Sequence, residues 1–174
     1  NDIMKLKPGK AQYNCLVNHS GGIIDDLIVY KIDEEKYLLV VNASNIEKDL
    51  HWINSLNENY NCSINNISDK ISLLAVQGPK AETLCESFTK EDLKSLSNYS
   101  FILGTFAGID NVIISKTGYT GSGGFELYVS NDNVEHIWNE LFSVGNLEVK
   151  PIGLAARDTL RLEMGYCLYG NDIN

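Results

Sequence analysis

The chain has 174 residues, 44% of them hydrophobic, and a formal net charge of −9 from 23 acids against 14 bases. That size and apolar content support a real core and argue against wholesale disorder. The acidic balance argues against non-specific nucleic-acid binding and against docking on an anionic membrane, while leaving room for a small anionic ligand held by local bases.

The elements are read in chain order. Residues 11–18, 23–31 and 37–42 have strand patterns, with the polar turn KIDEEK joining the last two. Ser44 and Glu47 have the spacing of a capping box, and Ile46, Leu50 and Ile53 follow at helical spacing. Strands are expected again over 61–66 and 71–77. Gly78-Pro79 opens a helix whose apolar side carries Ala81, Leu84 and Cys85. A short helical piece is expected over 90–96. A hairpin follows, with strands over 100–106 and 111–116 and the turn AGID between them. FELYV, at 125–129, reads as a strand. Asn131 or Asp132 then caps a helix with the apolar face Val134, Ile137, Trp138, Leu141 and Phe142. Pro151 precedes a last helix running to about Tyr166. Strand pairs alternate with single helices, so the fold class is α+β, with antiparallel or mixed sheets and helices packed on them.

Cys15, Cys62, Cys85 and Cys167 have no redox or zinc spacing, and His19, His51 and His136 lie far apart. No metal site is expected, and the thiols fit a reduced, cytosolic type of protein. No apolar run approaches the length of a membrane span. Both ends look cut, because the chain starts at Asn1 and stops just after a well-patterned segment.

Three constellations carry chemistry. In GGIIDDLIVY, Asp25 and Asp26 interrupt an apolar strand. Alternation puts Ile24, Asp26, Ile28 and Tyr30 on one face and Asp25, Leu27 and Val29 on the other. A buried carboxylate needs partners, so either both acids are solvated at a strand end or one sits in a pocket and holds a basic group of a ligand, and the pattern does not choose which acid. In TGYTGSGGFE the glycines suit a long hairpin turn, but neither Tyr119 nor Glu126 is explained by a turn. In GLAARDTLRLE, Arg157 and Arg161 lie one helical turn apart. They suit either an internal ion-pair network with Asp158 or Glu163, or a fork that holds a ligand carboxylate or carbonyl.

At these residues the sequence resembles the glycine cleavage system T protein family, the aminomethyltransferases. The resemblance runs from LKPGKAQYNCLVN through GGIIDDLIVY, LLVVNASNIEKDL, LLAVQGPKAETL and SKTGYTGSGGFELYV to GLAARDTLRLEMGYCLYGNDI, essentially the whole chain. It implies that 1–174 is a folate-binding fragment lacking an earlier N-terminal segment and a C-terminal barrel domain. It implies transfer of a one-carbon unit from the aminomethyl-dihydrolipoyl arm of a lipoylated H protein to tetrahydrofolate, releasing ammonia and 5,10-methylenetetrahydrofolate, in the cytoplasm and without a metal. By the same resemblance Asp26 is the catalytic acid. Tyr13, Asp26, Ile28, Tyr30, Asn42, Tyr119, Glu126, Arg157 and Tyr166 form the folate site, with Glu126 toward the aminopyrimidine and Arg157 toward a folate carbonyl or carboxylate. Ser122-Gly123-Gly124 replaces a more acidic loop tip found in some relatives. The truncation implies that the fragment alone binds folate weakly or not at all. Two other classes share the module: a folate-binding iron–sulfur assembly factor, whose cysteine motif is not found here, and the folate module of a flavin-dependent methylglycine dehydrogenase.

Overall fold

Two short polar turns fold the first apolar runs back on one another. Asn18 Oδ1 accepts the backbone amides of Ser20 (2.9 Å) and Gly22 (3.0 Å). Asp33 Oδ1 likewise accepts those of Glu35 and Lys36, each at 2.9 Å. The structure, a computed structural model, describes residues 1–145 and 147–174. It divides into two units, Asn1–Ile67 with Cys167–Asn174, and Ser68–Tyr166.

In the first unit, β1 (Lys10–Val17), β2 (Ile23–Lys31) and β3 (Tyr37–Val41) form an antiparallel sheet in the order β1-β2-β3. One sheet face supplies Leu27 and Val29 to a small core with Leu6, flanked by Ile3, Leu16 and Val41. Helix α1 (Ile46–Asn57) follows. Its Trp52 meets His19 edge-on, ring centroids 5.1 Å apart. Lys48 Nζ donates to the Tyr169 hydroxyl at 3.0 Å, which ties the C-terminal segment to this unit.

Two expectations fail here. The Ser44–Glu47 capping box does not form: a 3-10 turn over Ala43–Asn45 precedes α1, and Asn45 sits at the cap position without a side-chain cap bond. Ser44 lies inside that 3-10 turn rather than at the cap position, and the Asn45 side chain, which is at it, is spent on Asp25. Residues 61–66 form no strand. The Asn57 side chain donates to the Cys62 carbonyl and accepts from the Cys62 amide, both at 2.8 Å. Those are the backbone groups a neighbouring strand would have needed.

In the second unit, β4 (Ile71–Gln77), β5 (Phe101–Phe106), β6 (Ile109–Ser115) and β7 (Gly124–Ser130) form an antiparallel sheet in the order β4-β7-β6-β5. Helices α2 (Ala81–Glu86), α3 (Asn131–Ser143) and α4 (Leu154–Glu163) complete it. Phe106, Val112, Ile114, Phe125, Leu127 and Ile137 are fully buried in its core. The stretch predicted as helical over 90–96 is a single 3-10 turn, Leu93–Ser95, capped by the Asp92 side chain. The β5–β6 turn is tighter than predicted. Ala107 and Gly108, at φ +49° and +80°, make a two-residue turn whose twist suits a hairpin. On α3, Ile137 and Leu141 face the core, while Trp138 and Phe142 stack on each other, centroids 5.0 Å apart, on a half-exposed flank. The last helix stops at Glu163, short of Tyr166, because the Gly165 amide bonds the Leu162 carbonyl (2.9 Å) and the Tyr166 amide bonds that of Arg161 (3.0 Å). That bond pair is the Schellman ending.

Gly124 starts β7 at φ +138°, paired with Gln77 of β4, and a Cβ there would lie 2.3 Å from the carbonyl oxygen of the preceding residue, Val76. Backbone cannot yield as a side-chain tip does. Gly124→Ala is therefore expected to cost at least about 2 kcal/mol, read as a lower midpoint in denaturant at unchanged slope.

Candidate active site

The site is built from β2 outward. Directly opposed residues of an antiparallel pair share a face. Tyr13 lies opposite Ile28 and Cys15 opposite Asp26, so Tyr13, Cys15, Asp26, Ile28 and Tyr30 lie on one side of the sheet. Asp25, Leu27 and Val29 lie on the core side. Alternation thus separates the two acids as the sequence implies, and burial assigns them. Asp25 is fully buried, whereas Asp26 is partly open.

Asp25 is a structural centre. Its Oδ1 accepts the Asn42 Nδ2 (2.8 Å) and the Asn45 Nδ2 (2.7 Å), and its Oδ2 accepts the Asn42 backbone amide (3.1 Å). Burial pushes its carboxyl up, but the hydrogen bonds from Asp49, the Asn42 and Asn45 side chains and the Asn42 amide outweigh that and hold it below the usual value. Asp26 is held differently. The Tyr13 hydroxyl donates to its Oδ2 at 3.0 Å, and the Asn42 Nδ2 donates to its Oδ1 at 2.6 Å. Burial, then the bond and charge of Asp26, push the Tyr13 phenol above its ordinary range, so it stays a donor at neutral pH. Asn42 bridges both acids through its two amide protons. Ile28 is half-buried beside Tyr13, and Tyr30, on the same face, is fully buried.

In the second unit the Glu126 side chain is buried with Thr117 and Tyr128. The Thr117 hydroxyl donates to Glu126 Oε2, and the Tyr128 hydroxyl reaches the same oxygen at 3.5 Å. Burial raises the Glu126 carboxyl, and those two hydroxyls oppose the rise. The arginine pair of α4 divides its work. Arg161 is buried, donates through Nε to Asp158 Oδ1 (2.8 Å) and through Nη1 to the Tyr166 carbonyl (3.0 Å), and so takes the internal ion-pair role. The Arg157 guanidinium is exposed and sits over the Tyr119 ring, 5.0 Å from its centroid. That stacking is worth roughly 0.5–1 kcal/mol, enough to orient the group without using its donors. Tyr166 is 47% exposed. Of the predicted residues, the structure joins Tyr13, Asp26 and Asn42 in the first unit and Tyr119 with Arg157 in the second.

Sequence reasoning missed Asn45, Asp49 and Thr117. Asp49 left a readable trace: it falls on the same helical stripe as Ile46, Leu50 and Ile53, where an acid is out of place. Asp49 is 1% exposed, and neither of its carboxyl oxygens meets a donor. Burial, then the bond to Asp25 and its negative charge, push Asp49 up to about 7, against a smaller opposing pull from Lys48. The raised value fixes a sign. Between about pH 4 and about pH 7 the unfolded chain has released a proton that the folded chain keeps, so this group's stabilisation drains away as pH rises. Asp49→Asn is expected to remove that decline. Relative to the parent it gains on the order of 2 kcal/mol or more from pH 4 to pH 8, measured by urea unfolding at both pH values.

Among the described residues no group of three or more His, Cys, Asp or Glu side chains could hold a metal ion, and no helix is long and apolar enough to cross a membrane.

Comparison with known proteins gives the chain's family. The profile of the GCVT N-terminal domain matches residues 1–174. The aminomethyltransferase of Flavobacterium psychrophilum is 60% identical over 175 residues, covering 100% of this chain and 48% of the relative. That of Bacteroides thetaiotaomicron is 55% identical with the same coverage. The crystal structure of glycine cleavage system aminomethyltransferase T from Bartonella henselae superposes with a TM-score of 0.85 at 32% identity, covering 97% of this chain and 44% of that one. The chain spans about half the length of the curated relatives it matches. With the chain matched from its first residue to its last, it belongs to the GCVT N-terminal domain family.

Proposed function

We propose that this chain is the tetrahydrofolate-binding portion of an aminomethyltransferase of glycine catabolism. The whole protein accepts the aminomethyl group carried on the dihydrolipoyl arm of the H protein. It passes the carbon to tetrahydrofolate, and ammonia, 5,10-methylenetetrahydrofolate and the freed dihydrolipoyl arm result. The observation that carries the reading is the Asp26 carboxylate, fixed by Tyr13 and Asn42 on the partly open sheet face while its neighbour Asp25 takes up the structural hydrogen bonds.

The chemistry asks for such a group. A folate nitrogen that attacks the aminomethyl carbon gains positive charge and must lose a proton. A carboxylate held at a fixed place stabilises that charge and accepts the proton. Asp26 is held by two donors and keeps lone pairs for a third. Glu126 keeps Oε1 for an N–H group of the aminopyrimidine, because both hydroxyl contacts fall on Oε2. Arg157, already levelled by Tyr119, keeps its N–H donors for a carbonyl or carboxylate of the co-substrate. Ile28 and Tyr166 complete the proposed folate contacts, while Tyr30, fully buried, has no surface to offer a ligand, and the reaction needs no metal. The cytoplasm is the proposed location. The relatives named above carry the aminomethyltransferase name, which favours transfer over an iron–sulfur assembly or dehydrogenase role.

The test is reconstitution. Full-length protein, aminomethylated H protein and tetrahydrofolate are expected to yield methylenetetrahydrofolate and ammonia in equal amounts. Tetrahydrofolate binding without product would overturn the transferase reading in favour of a binding module.

A further inference from the structure

The Asp26 carboxylate is tied through Asn42 to the buried Asp25, and a further buried acid on the helix that follows Asn45, the side chain that bonds Asp25, has no role so far. Asn42 is the link: one Nδ2 proton goes to Asp26 Oδ1 at 2.6 Å and the other to Asp25 Oδ1 at 2.8 Å. The amide orientation is therefore set by two acceptors at once. Turned over, it would present its carbonyl oxygen to two carboxylates. Asp25 is fixed in turn by Asn45 Nδ2 and the Asn42 backbone amide. One helical turn on from Asn45, the Asp49 carboxyl is buried with no partner for either oxygen, and Asp25 is the acid that perturbs it. Two acceptors facing each other in a dry site attract only if one carries a proton. Asp25, with three N–H donors, is the better anion, and the proton belongs to Asp49.

We propose that Asp49 is a positioning residue for the Asp26 carboxylate: by donating to Asp25 from the core, it holds the Asn42 amide in the orientation that fixes Asp26. This rests on the transferase reading of Asp26. The titratable and charged groups facing the pair are Asp26 from β2, Tyr13 from β1 through Asp26, and Lys48 from α1 itself. Lys48 pulls Asp49 downward, yet its ammonium is also engaged with Tyr169, 3.0 Å from the hydroxyl. When Asp49 loses its proton, two buried carboxylates repel each other. The disturbance is carried to Asn42 and so to Asp26.

The experiment uses the full-length protein with aminomethylated H protein and tetrahydrofolate, and follows the transfer rate from pH 6 to pH 9 in the parent, Asp49→Asn and Asp49→Leu. An Asn amide donates to Asp25 at every pH, as the acid does only while protonated. Asp49→Asn is expected to stay within about threefold of the parent near pH 7 and to lose an alkaline decline that the parent shows. Asp49→Leu is expected to transfer roughly tenfold more slowly at every pH, mostly through kcat. Parent and Asp49→Asn profiles of the same shape would overturn the proposal, and that comparison still decides if Asp49→Leu fails to fold. A folded Asp49→Leu at the parent rate would also overturn it. Asp26→Asn, run alongside, separates the two claims. If it is slow while the Asp49→Asn profile matches the parent, only the role of Asp49 falls. If it transfers at the parent rate, the reading of Asp26 falls and the proposal with it.

Discussion

Asp26→Asn in the full-length protein is expected to slow one-carbon transfer by about 100-fold or more while leaving the fold intact. The substitution is nearly isosteric: the Asn oxygen keeps the bond from the Asn42 amide, and its NH2 takes the place of Oδ2 and donates to the Tyr13 hydroxyl, which turns from donor to acceptor. What disappears is the negative charge and the ability to take a proton. The loss should appear in kcat more than in tetrahydrofolate affinity, because a group that counters charge formed during attack acts in the transition state rather than in the bound ground state. Stopped-flow transfer assays with a thermal melt alongside check both halves. A melt unchanged within a few degrees together with a near-parental rate would reject Asp26 as the acid that matters.

Asp25→Ala is expected to do the reverse: to damage the fold first, by about 3 kcal/mol. The change takes the acceptor from the Asn42 amide, from one Asn42 side-chain proton and from the Asn45 side chain, and leaves the Asp49 carboxyl beside an empty buried position. Each buried donor left without an acceptor costs about 1–3 kcal/mol, partly offset by no longer burying a charge. Urea unfolding at pH 7 is the measurement. The comparison between neighbours is the sharper test, since adjacent acids in one strand are expected to differ in kind, one lost to stability and the other to rate.

The contrast between these acids also marks what the sequence made legible. Strand alternation alone separated Asp25 from Asp26, because a pleated strand leaves no other option. Deciding which acid is buried required the turn of chain at 42–45, which sends two Asn side chains back onto β2. Periodicity does not report such a return. The same return moves the helix start past Ser44 to Asn45, whose side chain a long-range acceptor claims. Residues 61–66 failed for a related reason, a single side chain, Asn57, satisfying backbone that pattern alone assigns to a sheet. In the second unit the arginines one turn apart looked equivalent. Only packing distinguished Arg161, folded into an ion pair, from Arg157, laid across an aromatic ring. The resemblance to a known family named Asp26, Glu126 and Arg157 together, and Asp49 lay outside it.

The two tryptophans have an optical consequence. The chain has two of them, Trp52 beside His19 in the first unit and Trp138 against Phe142 in the second. Each unit therefore carries its own native fluorophore. With Trp52 replaced by Phe, emission reports on the Ser68–Tyr166 unit alone, and with Trp138 replaced it reports on the other. Coincident denaturation midpoints for the two emitters would mean that the halves melt as one cooperative body, and separated midpoints would give each half its own stability without a label being attached.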